Sequence, residues 1–173
     1  IIFLGNVFLE RELHGNRAEI LNYLIKKHKV DFFSNLKNYS FKNFFKNFIY
    51  KLLKISEYKD FNFLKEIKFY NNIYSLKKIN LSNNLYGLKQ FEKLNQYWIV
   101  LNIHANNIFD SSNIRLFEAT GVGSCLFTEN SKNISDLFDV NKEIITFNNK
   151  EDLIDKINYF KKNPSEIEEI GKN

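Results

Sequence analysis

The sequence has no methionine, one cysteine, one proline and six glycines among 173 residues. So little glycine and proline excludes a collagen-like chain, and a single Cys excludes a disulfide-stapled scaffold. No uninterrupted apolar run reaches the roughly 18 to 20 residues that a membrane span needs, so the chain reads as a soluble piece. One Cys fits a reducing compartment, no signal peptide is visible, and the expectation is a cytoplasmic protein. Without Met, and opening inside the apolar run Ile1-Ile2-Phe3-Leu4, the chain reads as a fragment of a longer one.

What is present is a globular composition: 44% hydrophobic, 26% charged and 16% aromatic, which argues against disorder. The length suits one domain with its own core, residues 1–173. Asn occurs 26 times beside abundant Lys, Ile and Phe, so polar tracts can reflect an AT-rich coding sequence rather than function. The net charge is +5, and its positive part is local. Residues 26–78 hold 13 Lys/Arg against 4 Asp/Glu, whereas residues 88–173 hold 10 against 13.

Ile1–Leu4 followed by Gly5-Asn6 predicts a buried strand and a tight turn. Ala18, Leu21, Leu24 and Ile25 recur at helical spacing and predict a helix over 17–29, with a second strand at 30–33. Phe41, Phe44, Phe45, Phe48, Leu52 and Leu53 predict an amphipathic helix with lysines interleaved. Phe61–Tyr74 is another apolar, Lys-rich stretch, with short strands expected at Lys68-Phe69 and Ile79–Leu81. Further on, a helix is expected at 88–97 and a central strand at Trp98–Ile103, too apolar to face water. A helix at 114–120 then ends at Gly121 and Gly123, and strands at 124–128 and 143–147 flank a short helix at 134–138. Asn149 caps a helix running to Lys162, and Asn163-Pro164 opens the last one. No internal repeat is evident. Strand and helix alternate most clearly over 98–162, which predicts an α/β fold, a Rossmann-like parallel sheet with helices on both faces. Ligands bind such sheets outside the carboxyl ends of the strands. Asn6, the segment from His104 to Asn113, and Glu129-Asn130 fall there.

The segment from Leu101 to Gly123 carries the chemistry. Asp110-Ser111-Ser112-Asn113 is rich in capping residues, and the first N–H groups of the helix it precedes are suited to an anion. Arg115 in the first turn adds a charged fork for a phosphate. One turn on, the acceptor-only carboxylate of Glu118 suits a pair of sugar hydroxyls. Asp110, eight residues earlier, could reach the same ligand from the loop. Gly121-Val122-Gly123 lets the helix end pack close to the next strand.

The run Asn113-x-Arg115-x-Phe117-Glu118-Ala119-x-Gly121-x-Gly123 follows a Leu-Asn-Ile-His strand. It precedes a Glu-Ile-Ile-x-Phe strand and an Asp-Leu-x-x-Lys-Ile helix. In that order it resembles the C-terminal, donor-binding domain of GT-B glycosyltransferases, and within them the spore-maturation-protein-like (glycosyltransferase family 1-like) subgroup. The resemblance extends over residues 95–171 and, through Phe3-Leu4-Gly5-Asn6 with Arg17 beginning a helix, over 1–34. It implies transfer of a sugar from a nucleotide-diphosphate donor of UDP or GDP type to an acceptor hydroxyl. The acceptor site would lie on a preceding domain, leaving the fragment nearly inactive alone. It further implies Glu118 at the ribose, Asp110 by the sugar as the catalytic candidate, and Arg17 and Arg115 at the diphosphate. Asn113 would stand at the same mouth, Gly5 and Asn6 would allow close backbone approach, and His104 would meet sugar or phosphate. No metal or other cofactor is expected. There is no Asp-x-Asp pair, and His14, His28 and His104 lack ligand spacing.

Plainer readings stand beside these. Glu118 could form a surface ion pair, Arg115 could be a solvated helix residue, and Asp110 could belong to a cap. Arg17 could be an exposed charge at a helix start, and Cys125 a small core residue. Asp110, shorter than Glu, keeps open a non-catalytic α/β module binding a nucleotide or a protein. The basic middle reads first as a solvated face over aromatic core, then as a surface for an acidic partner or a membrane leaflet. Nucleic acid comes last, since no binding motif accompanies the charge.

Overall fold

The computed structural model describes residues 1–54, 62–79, 81–105 and 113–173, and of Phe41 and Phe44 the backbone alone. The expected strand at Lys68-Phe69 does not exist, because both residues lie inside a helix. The described strands are β1 (Ile2–Leu4), β2 (Asp31–Phe33), β3 (Leu81–Ser82), β4 (Ile99–Asn102), β5 (Cys125–Glu129) and β6 (Ile144–Phe147). They form one sheet in the order β3-β2-β1-β4-β5-β6, with every neighbouring pair parallel. This is a doubly wound order whose direction reverses between β1 and β4. The Rossmann-like α/β expectation therefore holds.

The helices are α1 (Arg11–Ile25), α2 (Phe41–Leu53), α3 (Phe63–Lys77), α4 (Leu88–Asn95), α5 (Arg115–Gly121), α6 (Ile134–Leu137), α7 (Lys150–Lys162) and α8 (Pro164–Lys172). A 3₁₀ turn at Asn35–Asn38 follows β2. Alternate strand residues feed two cores. Phe3, Phe32, Leu101, Phe127 and Ile145 pack with Ala18, Leu21 and Leu24 of α1, Ile73 of α3, and Ile157 of α7. Ile2, Leu4, Val100, Leu126 and Ile144 face the other way, onto Leu94, Leu116, Ala119 and Ile134. This period-2 division is what a sheet covered on both sides requires.

Several boundaries differ from expectation. α1 begins at Arg11, so Arg17 lies at its middle and does not start it. His14, Gly15 and Asn16 are weak helix formers, yet they stay helical as α1 packs along α3. α3 absorbs the Lys68-Phe69 position, since Phe69, Ile73 and Leu76 recur at helical spacing and Asn62 Oδ1 accepts from Lys65 N at 3.0 Å. The edge strand expected at Ile79–Leu81 lies at Leu81–Ser82. Trp98 stands outside β4 and is exposed. The cap at Asn149 is as expected, with Oδ1 accepting from Asp152 N at 2.8 Å.

α2 and α3 are fastened to the first turn of α1 by a charged cluster. Glu66, fully buried, accepts from Arg11 Nε at 2.6 Å and pairs with Lys51 Nζ at 3.4 Å. Lys51 and Arg11 also meet the carboxylate of Glu12 at 3.2 and 3.1 Å. Each buried charge thus faces opposite charges, which limits the desolvation cost.

The end of α8 approaches β5 through glycine. Gly123 has φ +78°, and a Cβ on Gly171 would lie 2.5 Å from the Gly123 carbonyl oxygen and 3.3 Å from Cys125 N. Both neighbours are backbone, so Gly171→Ala must lift α8 and is expected to cost about 1–3 kcal/mol. Thermal denaturation beside Gly121→Ala, whose Cβ would meet nothing within 4 Å, checks this; equal melting points would contradict it.

Candidate functional site

After β1 the chain goes on to α1 on one face of the sheet, and α5, which follows β4, packs on the other; in sheets with such a reversal the ligand crevice lies at the carboxyl ends of the strands. Gly5 and Asn6 follow β1, His104 follows β4, and Glu129 ends β5, so these all stand at its rim. Asp110 belongs to residues 106–112, outside the described residues.

Arg17 underlies the crevice. Its Nε and Nη2 donate to the Ile103 carbonyl at 2.9 and 2.5 Å, and Nη1 donates to the Asn6 carbonyl at 2.5 Å. The guanidinium thus staples together the two loops that diverge at the reversal point. Burial lowers its pKa to about 10, opposed by the nearby Glu129 carboxylate, so it remains charged at neutral pH. This differs from an exposed charge at a helix start.

Glu129 is the second hub. Its Oε2 accepts from His104 N at 2.6 Å and lies 3.4 Å from His104 Nδ1, while Oε1 accepts from Asn16 Nδ2 at 2.9 Å. His104 is buried against this carboxylate. Asn6 is committed too, since its Oδ1 accepts from Asn84 Nδ2 at 2.5 Å, tying the β1 loop to the loop after β3. Gly5 N donates to the Phe33 carbonyl at 3.0 Å.

The α5 end is organised differently from the expected open anion site. Asn113 Nδ2 donates to Asn102 Oδ1 at 3.0 Å, and Asn102 Nδ2 donates in turn to Thr128 Oγ1 at 3.0 Å, anchoring the helix entry to the tips of β4 and β5. Asn113 Oδ1 accepts from Arg115 N at 3.0 Å. Leu116 N and Phe117 N donate to the carbonyls of Asn113 and Ile114 at 3.2 and 3.1 Å. The first N–H groups of α5 therefore have acceptors within the fold, and positive charge at this end comes chiefly from Arg115.

Arg115 Nη1 lies 2.6 Å from Glu118 Oε2, and Glu118 Oε1 accepts from Gln90 Nε2 at 2.7 Å. Burial lowers the Arg115 pKa, and the Glu118 carboxylate opposes that shift. Gln90, buried in the first turn of α4, has no signal in sequence; only the packing of α4 beside α5 brings it here. Glu129 was visible as a strand-end residue, but its acceptor role was not. The structure thus brings two groups to the rim: Arg17, Glu129, His104 and Asn6 at the reversal point, and Gln90, Glu118 and Arg115 on the α4/α5 side. Among the described residues, no three His, Cys, Asp or Glu side chains converge as a metal site would require.

His14, buried beside Arg17, offers a pH test. Burial, then the Arg17 cation, depress its pKa from 6.5 to about 4. Between those values the unfolded chain binds a proton that the native chain refuses. The contribution is present in full above the unfolded value and is lost as pH falls toward 4, by on the order of 3 kcal/mol. Urea midpoints should therefore drop more steeply from about pH 7 to about pH 4.5 in the wild type than in His14→Gln; equal slopes would contradict it.

Comparison with known proteins agrees with this fold. The structure of Anabaena HepE in complex with UDP is 8% identical with a TM-score of 0.59, over 99% of this chain and 42% of that one. The same protein with UDP-glucose gives 10% and 0.57, over 99% and 41%. A glycosyltransferase from Rickettsia africae gives 16% and 0.57, over 99% and 40%. The chain thus spans about two fifths of the length of these structures, and the likeness is one of fold. No curated protein matches the sequence. A family model described as glycosyl transferase-like matches residues 46–173, which include the later part of α2, all of α3 and the whole Gln90–Glu118–Arg115 group. With that match extending over most of its length, the chain belongs to the glycosyl transferase-like family.

Proposed function

We propose that this chain is the donor-binding half of a GT-B glycosyltransferase of the spore-maturation-protein-like subgroup, acting in the cytoplasm on a UDP- or GDP-sugar. The observation that carries this is the Gln90–Glu118–Arg115 group at the crevice. A carboxylate oxygen has two lone pairs, so Glu118 Oε1 keeps acceptor capacity for a ribose hydroxyl after accepting from Gln90. Arg115, next to it, supplies charge toward a diphosphate. Arg17 acts from below: with three nitrogens donating to carbonyls, it contributes a fixed positive potential and holds the Asn6 loop in place. His104 meets the sugar or phosphate from the end of β4, Asp110 is the catalytic candidate, and Asn113 fixes the mouth. Gly5 leaves the backbone open to close approach. The acceptor is bound by another part of the enzyme. UDP complexes of the similarly folded Anabaena protein support a nucleoside diphosphate as ligand.

Calorimetric titration of the chain with UDP, GDP and their sugars, with ATP as control, tests this. Saturable micromolar binding of one nucleoside diphosphate is expected, and no binding of either would overturn it. In a protein carrying both halves, sugar release from the donor separates a transferase from a nucleotide-binding module.

A further inference from the structure

We propose that the outer face of α2 docks on an anionic membrane surface, with Phe45, Ile49 and Leu53 entering the headgroup region. α2 reads Phe-Lys-Asn-Phe-Phe-Lys-Asn-Phe-Ile-Tyr-Lys-Leu-Leu, with three lysines and no carboxylate. Its rotation is set by what it buries. Lys51 turns inward to Glu66, and the Phe48 ring lies 6.0 Å from Phe63 and 5.5 Å from Tyr70. Apolar side chains are left outside this contact. Phe45 is 68% exposed and Leu53 81%, with Ile49 and Tyr50 also exposed. Residues 45, 49 and 53 are four apart and form one stripe along the helix. Lys42 and Lys46 lie in or beside the same arc and are exposed. Phe63 and Leu64, opening α3, add exposed apolar surface beside Phe48.

The occupant follows from this chemistry. Large aromatic and aliphatic side chains in water on a convex helix need an apolar partner, and the lysines around them need an anionic one. A leaflet containing acidic lipid offers both at adjacent depths, and lysine stems can reach the headgroups while the stripe enters below them. No described helix is long and apolar enough to cross a membrane, so the contact is peripheral. Lys51 meets Glu12 in the first turn of α1, on the side of α2 away from the stripe. The proposal does not depend on nucleotide binding.

Sedimentation with vesicles tests it. The chain should pellet with phosphatidylcholine vesicles containing about a third phosphatidylglycerol and stay in solution with pure phosphatidylcholine. Phe45→Ser/Leu53→Ser alters only exposed positions and should weaken partitioning by about tenfold or more. Lys42→Glu/Lys46→Glu should do the same at low salt, and added salt should mimic it in the wild type. Unchanged circular dichroism would show that both variants fold. Failure to bind anionic vesicles, equal binding to neutral ones, or retention by Phe45→Ser/Leu53→Ser would overturn the proposal. So would self-association that the serine variant abolishes without any vesicle binding, since the stripe would then face a second copy.

Discussion

Glu118→Ala is expected to weaken UDP binding by about 10- to 100-fold, the range for losing hydrogen bonds to a charged acceptor. This carboxylate is held from two sides, by Gln90 at 2.7 Å and Arg115 at 2.6 Å. Fixing the acceptor in advance lowers the ordering cost of binding. Removing it also leaves Arg115 partly buried without its counter-charge, so some loss of stability should accompany the loss of affinity. Calorimetry with UDP and with its 2′,3′-dideoxy analogue separates the two effects. The wild type should lose about tenfold or more on going to the dideoxy ligand, and Glu118→Ala should lose almost nothing further. If the variant still discriminates between the two ligands as the wild type does, the ribose contact belongs to another residue.

Arg17→Met should be the most destabilising single change at the crevice, by about 3–5 kcal/mol, because it breaks a buried, charged hydrogen-bond group from one side. The substitution keeps much of the side-chain volume while leaving the Ile103 and Asn6 carbonyls without their donor and removing the cation near Glu129. Arg17→Lys should recover only part of the loss, since one ammonium cannot reproduce a planar fork spanning two loops. Chemical denaturation followed by circular dichroism measures this. A loss below about 1 kcal/mol for Arg17→Met would mean that the two loops are held by other contacts.

The elements that could be read from sequence are those whose causes are local. Asn149 before an acidic first turn, Pro164 at a helix start, and the apolar run Trp98–Ile103 each act within a few residues, and each stands close to where the pattern put it. The start of α1 was misplaced because Gly15 and Asn16 disfavour helix locally, while packing on α3 holds them in one. Lys68-Phe69 failed as a strand for a similar reason: two residues carry no period, and the longer one through Ile73 and Leu76 prevailed.

At the site, Glu118 and Arg115 were recognisable by spacing, being one turn apart on one helix. Gln90 was not, because it meets Glu118 across 28 residues of chain. Nor could spacing show that Arg17 spends its donors on carbonyls, or that Asn113 and its neighbours satisfy the first amides of α5 among themselves. Hydrophobic period and capping chemistry were enough to specify alternating strands and helices, and hence a parallel sheet with its functional edge at the strand ends. Which charges at that edge are already paired was settled only when the sheet order set α4 beside α5 and the β1 loop beside β4. Such pairings join residues distant in the chain, and no local energy term encodes them.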